Sequence, residues 1–290
     1  MKIVFFGHRG WIASYFLPLL YNNGHEVVCP TIRADNTSAV EKLLDNEKPD
    51  RVISFIGRTH GDGINTIDYL EQPGKLVENM CDNLYAPVSL ALLCREKRIH
   101  FTYLGTGCIF SSNDTNDTTD KKYTERDDPD FFGSSYSIVK GFTDRIMKLV
   151  SENTLNVRIR MPITPDMSPR NFIAKIVAYD KICSIPNSMS VLPTLLPILL
   201  DMIEKGYIET INLVNPGIIS HNEILSIYRD KVDPNKTWQN FTLEEQDAIL
   251  KSKRSNNQLD TTLLENLYPD VKGVYTAVKE CIEMIAQNQI

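Results

Sequence analysis

From its second residue the chain alternates short β-rich runs with helical patterns, and this alternation constrains the fold more than any single motif. Lys2–Phe6 predicts a strand, Trp11–Asn22 a helix and Glu26–Cys29 a strand. A helix near Ser38–Asn46, a strand Arg51–Ile56 and a long helix across Pro73–Lys97 follow. His100–Leu104 then reads as a strand, Ser137–Ser151 as a helix and Asn156–Met161 as a strand. Parallel strands need long crossovers, usually helical, so the pattern predicts an α/β fold, a doubly wound parallel sheet with helices on both faces. Ligands of such sheets bind outside the carboxyl ends of the strands.

After Met161 the pattern changes. Pro162, Pro165, Pro169, Pro186, Pro193 and Pro197 punctuate a stretch of mixed character, with a strand expected at Thr210–Val214 and helices at Asn222–Asp230 and Glu244–Leu250. Two domains are therefore expected, residues 1–163 and a smaller C-terminal one over 164–290, with a segment near 189–205 packing back onto the first. Ser111–Lys122, rich in Asn, Asp and Thr, reads as a solvated loop. Two Asn-x-Thr glycosylation patterns fall inside it, at Asn113 and Asn116, and carry no weight without a secretory signal.

Charge removes several function classes. The chain has 31 Lys plus Arg against 37 Asp plus Glu, a formal net charge of −6, so general electrostatics favours neither nucleic acid nor an anionic membrane. Its cysteines, at 29, 81, 94, 108, 183 and 281, form no C-x-x-C pair, so neither a zinc site nor a disulfide framework is expected. Val191–Ile203 is apolar but is broken by Pro193, Pro197 and Asp201, short of a membrane span. A cytoplasmic location is expected, with no metal; a homodimer is compatible with the sequence and not specified by it.

The first strand runs into Gly7-His8-Arg9-Gly10-Trp11-Ile12-Ala13, which opens the first helix. Glycines permit a tight turn and close approach of the backbone to a pyrophosphate, and the helix start offers free N–H groups to the anion. The G-x-x-G-x-x-A spacing resembles that of short-chain dehydrogenases. It makes the first domain a Rossmann-type dinucleotide-binding unit, with Gly7, Arg9, Gly10, Trp11 and Ile12 at the cofactor. Past the second strand, Cys29-Pro30-Thr31-Ile32-Arg33 supplies no acid for ribose hydroxyls but does supply Arg33, which suits a 2′-phosphate. NADPH is expected, with NADH as the alternative and a solvated surface charge as the bland reading of Arg33.

Tyr136 and Lys140 stand at i and i+4 on one helix face. A tyrosine exchanges protons poorly near neutrality unless a cation favours its phenolate, and Lys140 is placed to be that cation and to bind the nicotinamide ribose. Thr106 ends a strand thirty residues earlier, where a hydroxyl can bond a substrate carbonyl. Glycine turn, Thr, Tyr and Lys in this order fit carbonyl reduction. Two residues beyond Thr106, Cys108 points to the same side if the segment is extended. Its thiol is then placed to remove a proton from carbon next to a ketone. The competing reading of Cys108 is a packing residue.

Further motifs carry a resemblance. The Thr-Gly-Cys-Ile-Phe run, Tyr136-x-x-x-Lys140, Arg158-Ile-Arg-Met-Pro-Ile163, Pro169-Arg-Asn-Phe-Ile173, Ile185-Pro-Asn-Ser-Met189, Asn215-Pro-Gly217 with Ser220-His-Asn-Glu223, Trp238–Gln246 and Arg254-Ser-Asn-Asn257 resemble the bifunctional UDP-4-keto-6-deoxyglucose 3,5-epimerase/4-reductases of UDP-L-rhamnose synthesis. That family is related to dTDP-4-dehydrorhamnose reductase and GDP-fucose synthase. The resemblance implies that Thr106, Tyr136 and Lys140 reduce C4 and that Cys108 works in epimerisation. GDP-fucose synthase pairs its thiol with a histidine; the matching region here offers Lys175, whose bland reading is an exposed helix cation. It also places a UDP-sugar on the second half, through Arg254, Asn256 and Asn171, with Trp238 either stacking on the base or plugging a core. The alternatives are a reductase without epimerase activity and a catalytically dead dinucleotide-binding regulatory subunit.

Overall fold

The computed structural model describes residues 1–111 and 121–288; most of the Asn/Asp/Thr-rich loop and both glycosylation patterns lie outside them. β1 (Lys2–Phe6) leads into α1 (Trp11–Asn22), β2 (Glu26–Val28), α2 (Thr37–Glu47) and β3 (Arg51–Ser54). A 3-10 turn over Ile67–Glu71, α3 (Leu76–Met80), a π turn over Cys81–Tyr85 and α4 (Ala86–Glu96) follow. Next come β4 (His100–Thr106), β5 (Lys122–Tyr123), α5 (Ser135–Lys148) and β6 (Thr154–Ile159). The remaining chain gives α6 (Phe172–Val177), β7 (Lys181–Ile182), α7 (Leu192–Lys205), β8 (Glu209–Asn212) and α8 (His221–Lys231). It closes with β9 (Gln239–Asn240), α9 (Leu243–Ile249), β10 (Gln258–Leu259), α10 (Thr262–Leu267) and α11 (Val274–Asn288).

Six strands form one parallel sheet in the order β2-β1-β3-β4-β6-β8. The strand expected at Thr210–Val214 is thus the sheet's edge and not part of a separate substrate unit. The pleat divides the core: Ile3 and Phe5 join Phe16, Leu195 and Leu199 beneath α1 and α7, while Val4 and Phe6 join Val40, Leu90 and Phe101 beneath α2 and α4. α7 absorbs the apolar run near Val191, with Pro193 in its first turn, where no N–H is needed. No helix among the described residues is long and apolar enough to cross a membrane. A second core, including Ile173, Ile176, Ile224, Leu225, Val278 and Ile282, lies between α6, α8 and α11.

The helix expected across Pro73–Lys97 is interrupted, and Pro87 supplies the reason. Without an N–H it cannot bond the carbonyl of Asn83 four residues back, and the helix widens there into the π turn. Thr143 of α5 donates its hydroxyl to that freed carbonyl at 2.6 Å. Behind the sheet end, Arg158 and Asp144 form a buried ion pair at 2.7 Å.

Candidate active site

At the carboxyl end of β1 the backbone of Gly7 has φ +78°, and a Cβ there would lie 2.7 Å from the Phe55 carbonyl carbon. Only glycine meets both demands. Gly10 is the N-cap of α1 and brings no side-chain cap, so the first-turn N–H groups are left for a ligand. Beside them the Trp11 Nε1 and His8 Nδ1 are buried without a partner. This cradle fits a dinucleotide's phosphates. Arg9 is exposed and Ile12 half-buried at the same turn. Arg33 stands past β2, but its guanidinium bonds Asp35 at 2.6 Å and reaches Asp82 at 3.4 Å. Any phosphate must share it with those carboxylates.

Thr106, the last residue of β4, meets the N-terminal part of α5, which Ser134 caps by accepting the Ser137 N–H at 3.0 Å. Cys108 donates its backbone N–H to the Thr106 Oγ1 at 3.1 Å, and its side chain packs on the cluster that contains Tyr136. Burial, then the neighbouring Cys108, holds the Tyr136 phenol above its ordinary value, against the pull of the Thr106 hydroxyl. The phenol is therefore neutral and carries the proton a carbonyl oxygen would need. Lys140 departs from expectation: its Nζ donates to the Tyr103 hydroxyl. Burial lowers Lys140 to about 7, with Asp144 and Cys108 opposing. Tyr103, buried on β4, was not marked by any sequence motif.

Cys108 is half-buried and packs on a small cluster of Tyr69, Leu70 and Tyr136. Its loop is held from below. Arg160 Nη1 and Asn257 Nδ2 both donate to the Gly107 carbonyl, at 2.9 and 3.1 Å, and Ser137 donates its hydroxyl to the Cys108 carbonyl at 2.7 Å. Arg160 and Asn257, each from a motif that carried the resemblance, thus help to fix this loop.

The second-half candidates divide. Asn171 is fully buried as the N-cap of α6. Its amide donates to the Thr164 and Asp166 carbonyls, and its oxygen accepts the Ile173 N–H at 3.2 Å. Both donors are spent, which corrects the expectation that it binds sugar or phosphate. Trp238 packs against the second core, donates its indole N–H to Asn222 at 2.7 Å and carries the Arg229 guanidinium over its ring. Its packing matches the core-plugging alternative. Asn256 accepts from Asn187 at 3.0 Å, while its own Nδ2 is buried without a partner. Arg254 donates to Asp68 of the 3-10 turn at 2.5 Å, and Ser252 bonds the same carboxylate at 2.8 Å. Asp68 thereby stitches the segment bearing Tyr69 to the second half. Burial pushes its carboxyl up, but the bonds from Arg254, Ser252 and Thr66 outweigh that and hold it below the usual range.

Lys175 is half-buried on α6, and burial, then Arg170 and Arg254, lowers its proton affinity. Sequence reasoning passed over its surroundings, the pair His60 and Arg170 with Arg58. Asn83 fixes the Arg58 backbone, accepting its N–H and donating to its carbonyl, each at 2.9 Å. No group of His, Cys, Asp and Glu suited to a metal occurs among the described residues.

A nucleotide cradle at β1, a Thr–Tyr set at β4 and α5, and the cations Arg170, Lys175 and Arg254 grouped in the second half define a dinucleotide-dependent enzyme acting on a carbonyl. Residues 3–178 match the NAD dependent epimerase/dehydratase family, and the chain belongs to that family. It is 53% identical over 289 residues, spanning 100% of both chains, to the L780 protein of Acanthamoeba polyphaga mimivirus. The crystal structure of the L780 UDP-rhamnose synthase superposes with a TM-score of 0.95 at 54% identity, covering 98% of this chain and 99% of that one. The bifunctional dTDP-4-dehydrorhamnose 3,5-epimerase/dTDP-4-dehydrorhamnose reductase of Arabidopsis thaliana is 37% identical over 275 residues, 94% of this chain and 89% of the relative.

Proposed function

We infer that this chain epimerises C3 and C5 of UDP-4-keto-6-deoxyglucose and then reduces C4 with NADPH, giving UDP-L-rhamnose. The observation that carries the reading is the meeting of two chemistries at the end of β4. Cys108, bonded through its backbone to Thr106, packs on the cluster that contains Tyr136, and this supports a thiol and a phenol serving one substrate site. A reductase without epimerase activity has no use for that thiol.

The C4 ketone acidifies both flanking C–H bonds. In this reading Cys108, as thiolate, removes the proton from one face of C3 or C5, and Lys175 returns a proton from the other. Its lowered proton affinity makes Lys175 a readier proton donor than an exposed lysine. At each carbon one C–H bond breaks and one forms, with no net redox change. NADPH, when bound, supplies a hydride to C4. Tyr136 then gives its proton to O4, Thr106 orients that oxygen, and Lys140 sustains the relay through its buried position on α5. Gly7, Gly10 and Trp11 would hold the pyrophosphate. Arg33 favours the 2′-phosphate of NADPH, within the competition set by Asp35.

The test is NMR in deuterated water. Without NADPH, the substrate is expected to exchange hydrogen at C3 and C5; with NADPH, UDP-L-rhamnose should form. Reduction without exchange would leave a reductase only.

A further inference from the structure

One member of a pair of cations, Arg170 beside Lys175, is unexplained by the roles above. Arg170 immediately precedes the N-cap of α6, and Lys175 is the fourth residue of that helix. These are the two positions that a hydrophobic staple normally joins, so the fold brings their side chains together where apolar contact is usual. Here both are half-buried cations. Arg58 pairs with Glu78 and Asp82, and Arg254 with Asp68. Among the described residues no carboxylate pairs with Arg170 or Lys175, and each feels mainly burial and other cations.

The partner that Arg170 does have is a poor match. Its Nη1 lies 2.7 Å from His60 Nδ1, and its Nη2 faces His60 Nε2. Burial, then Arg170, Arg58 and Lys175, pushes His60 down to about 4, so the ring is neutral at pH 7. A neutral imidazole accepts at one nitrogen only, which leaves one N–H of the fork unmatched. Two oxygens of a phosphate would match both.

We propose that Arg170, seated on His60, binds the sugar-linked phosphate of the nucleotide-sugar substrate. The inference rests on the nucleotide-sugar reading and adds the position of the phosphates. The chemistry of the ligand supports the placement. That phosphate is on C1, and C1 is joined to C5 through the ring oxygen alone. A guanidinium on the phosphate and a proton donor at C5 must therefore be close neighbours, as Arg170 and Lys175 are.

Calorimetric titration of the full chain with UDP and, separately, with NADPH tests this. In Arg170→Met, UDP is expected to bind about ten- to a hundredfold more weakly while NADPH binds as in wild type, which also reports an intact fold. Arg170→Lys keeps the charge and loses the fork, and should lose about three- to tenfold for UDP. Unchanged UDP binding in either variant overturns the proposal, as does an equal loss for NADPH, which would move Arg170 to the cofactor. Wild-type protein that binds NADPH but not UDP would overturn the nucleotide-sugar reading itself, and the proposal with it.

Discussion

The two lysines singled out above, Lys140 and Lys175, sit in contrasting surroundings. Lys140 is buried on α5, hydrogen-bonded to Tyr103, with Asp144 opposing its loss of charge. Lys175 is half-buried on α6, faces Arg170 and Arg254, and among the described residues has no opposing acid. Burial is the largest cause in both, yet one lysine has an acid nearby that favours its charge and the other has further cations. The difference teaches that the α5 end offsets the cost of burying a cation, whereas the α6 end adds to it.

The most damaging way to probe the α5 end is Tyr136→Phe. It should cut NADPH oxidation by about 10²–10⁴-fold and leave C3 and C5 exchange in place. Turnover near wild type, measured by absorbance, would remove Tyr136 from the relay. Lys175→Met at the α6 end and Cys108→Ser beside Tyr136 should each lower deuterium exchange by about 10²-fold. Both should still reduce an already epimerised 4-keto sugar. Parallel loss of exchange and reduction would show one shared pocket with no division between the ends.

A smaller effect is expected at the seam that joins the ends. Asp68→Asn replaces a charged acceptor of three side chains, at a cost of about 1.5–3 kcal/mol in stability. Because the folded carboxyl is held low, its stabilisation is complete above the unfolded value and is lost as pH falls through the folded one. The wild-type melting temperature should thus fall on acidification below about pH 4 more steeply than that of the variant. Equal slopes would deny the seam its charge. Smallest of all, Arg33→Ala should raise the NADPH-to-NADH ratio of dissociation constants by about three- to tenfold, since Asp35 and Asp82 already share that guanidinium.

Local spacing made the α5 end readable. Gly7 and Gly10 follow a strand, and Tyr136 and Lys140 share a helix face, so chain-local geometry suffices to bring each pair together. The α6 end was far less readable, because its contacts cross the chain. Arg170 meets His60 across 110 residues and Arg254 meets Asp68 across 186. No periodicity reports such pairings. Asn171 was hard to read for a different reason: its motif looked like a ligand contact, but its amide is used locally to close its own helix start. Pro87 was visible, but its effect on Asn83 depended on a hydroxyl from another helix.

Asn83 also bears on how this scaffold can change over generations. Its side chain grips the Arg58 backbone, and its freed carbonyl receives Thr143, seven residues after Tyr136 and on the same side of α5. One residue therefore sets the spacing between the loop that carries Arg58 and His60 and the helix that carries Tyr136. A descendant adapting to a sugar of different length would have to move Asn83 or Pro87, whereas one adapting to a different cofactor need only alter exposed residues such as Arg33. Cofactor choice should drift readily in such a lineage, and the reach of the cleft should stay fixed.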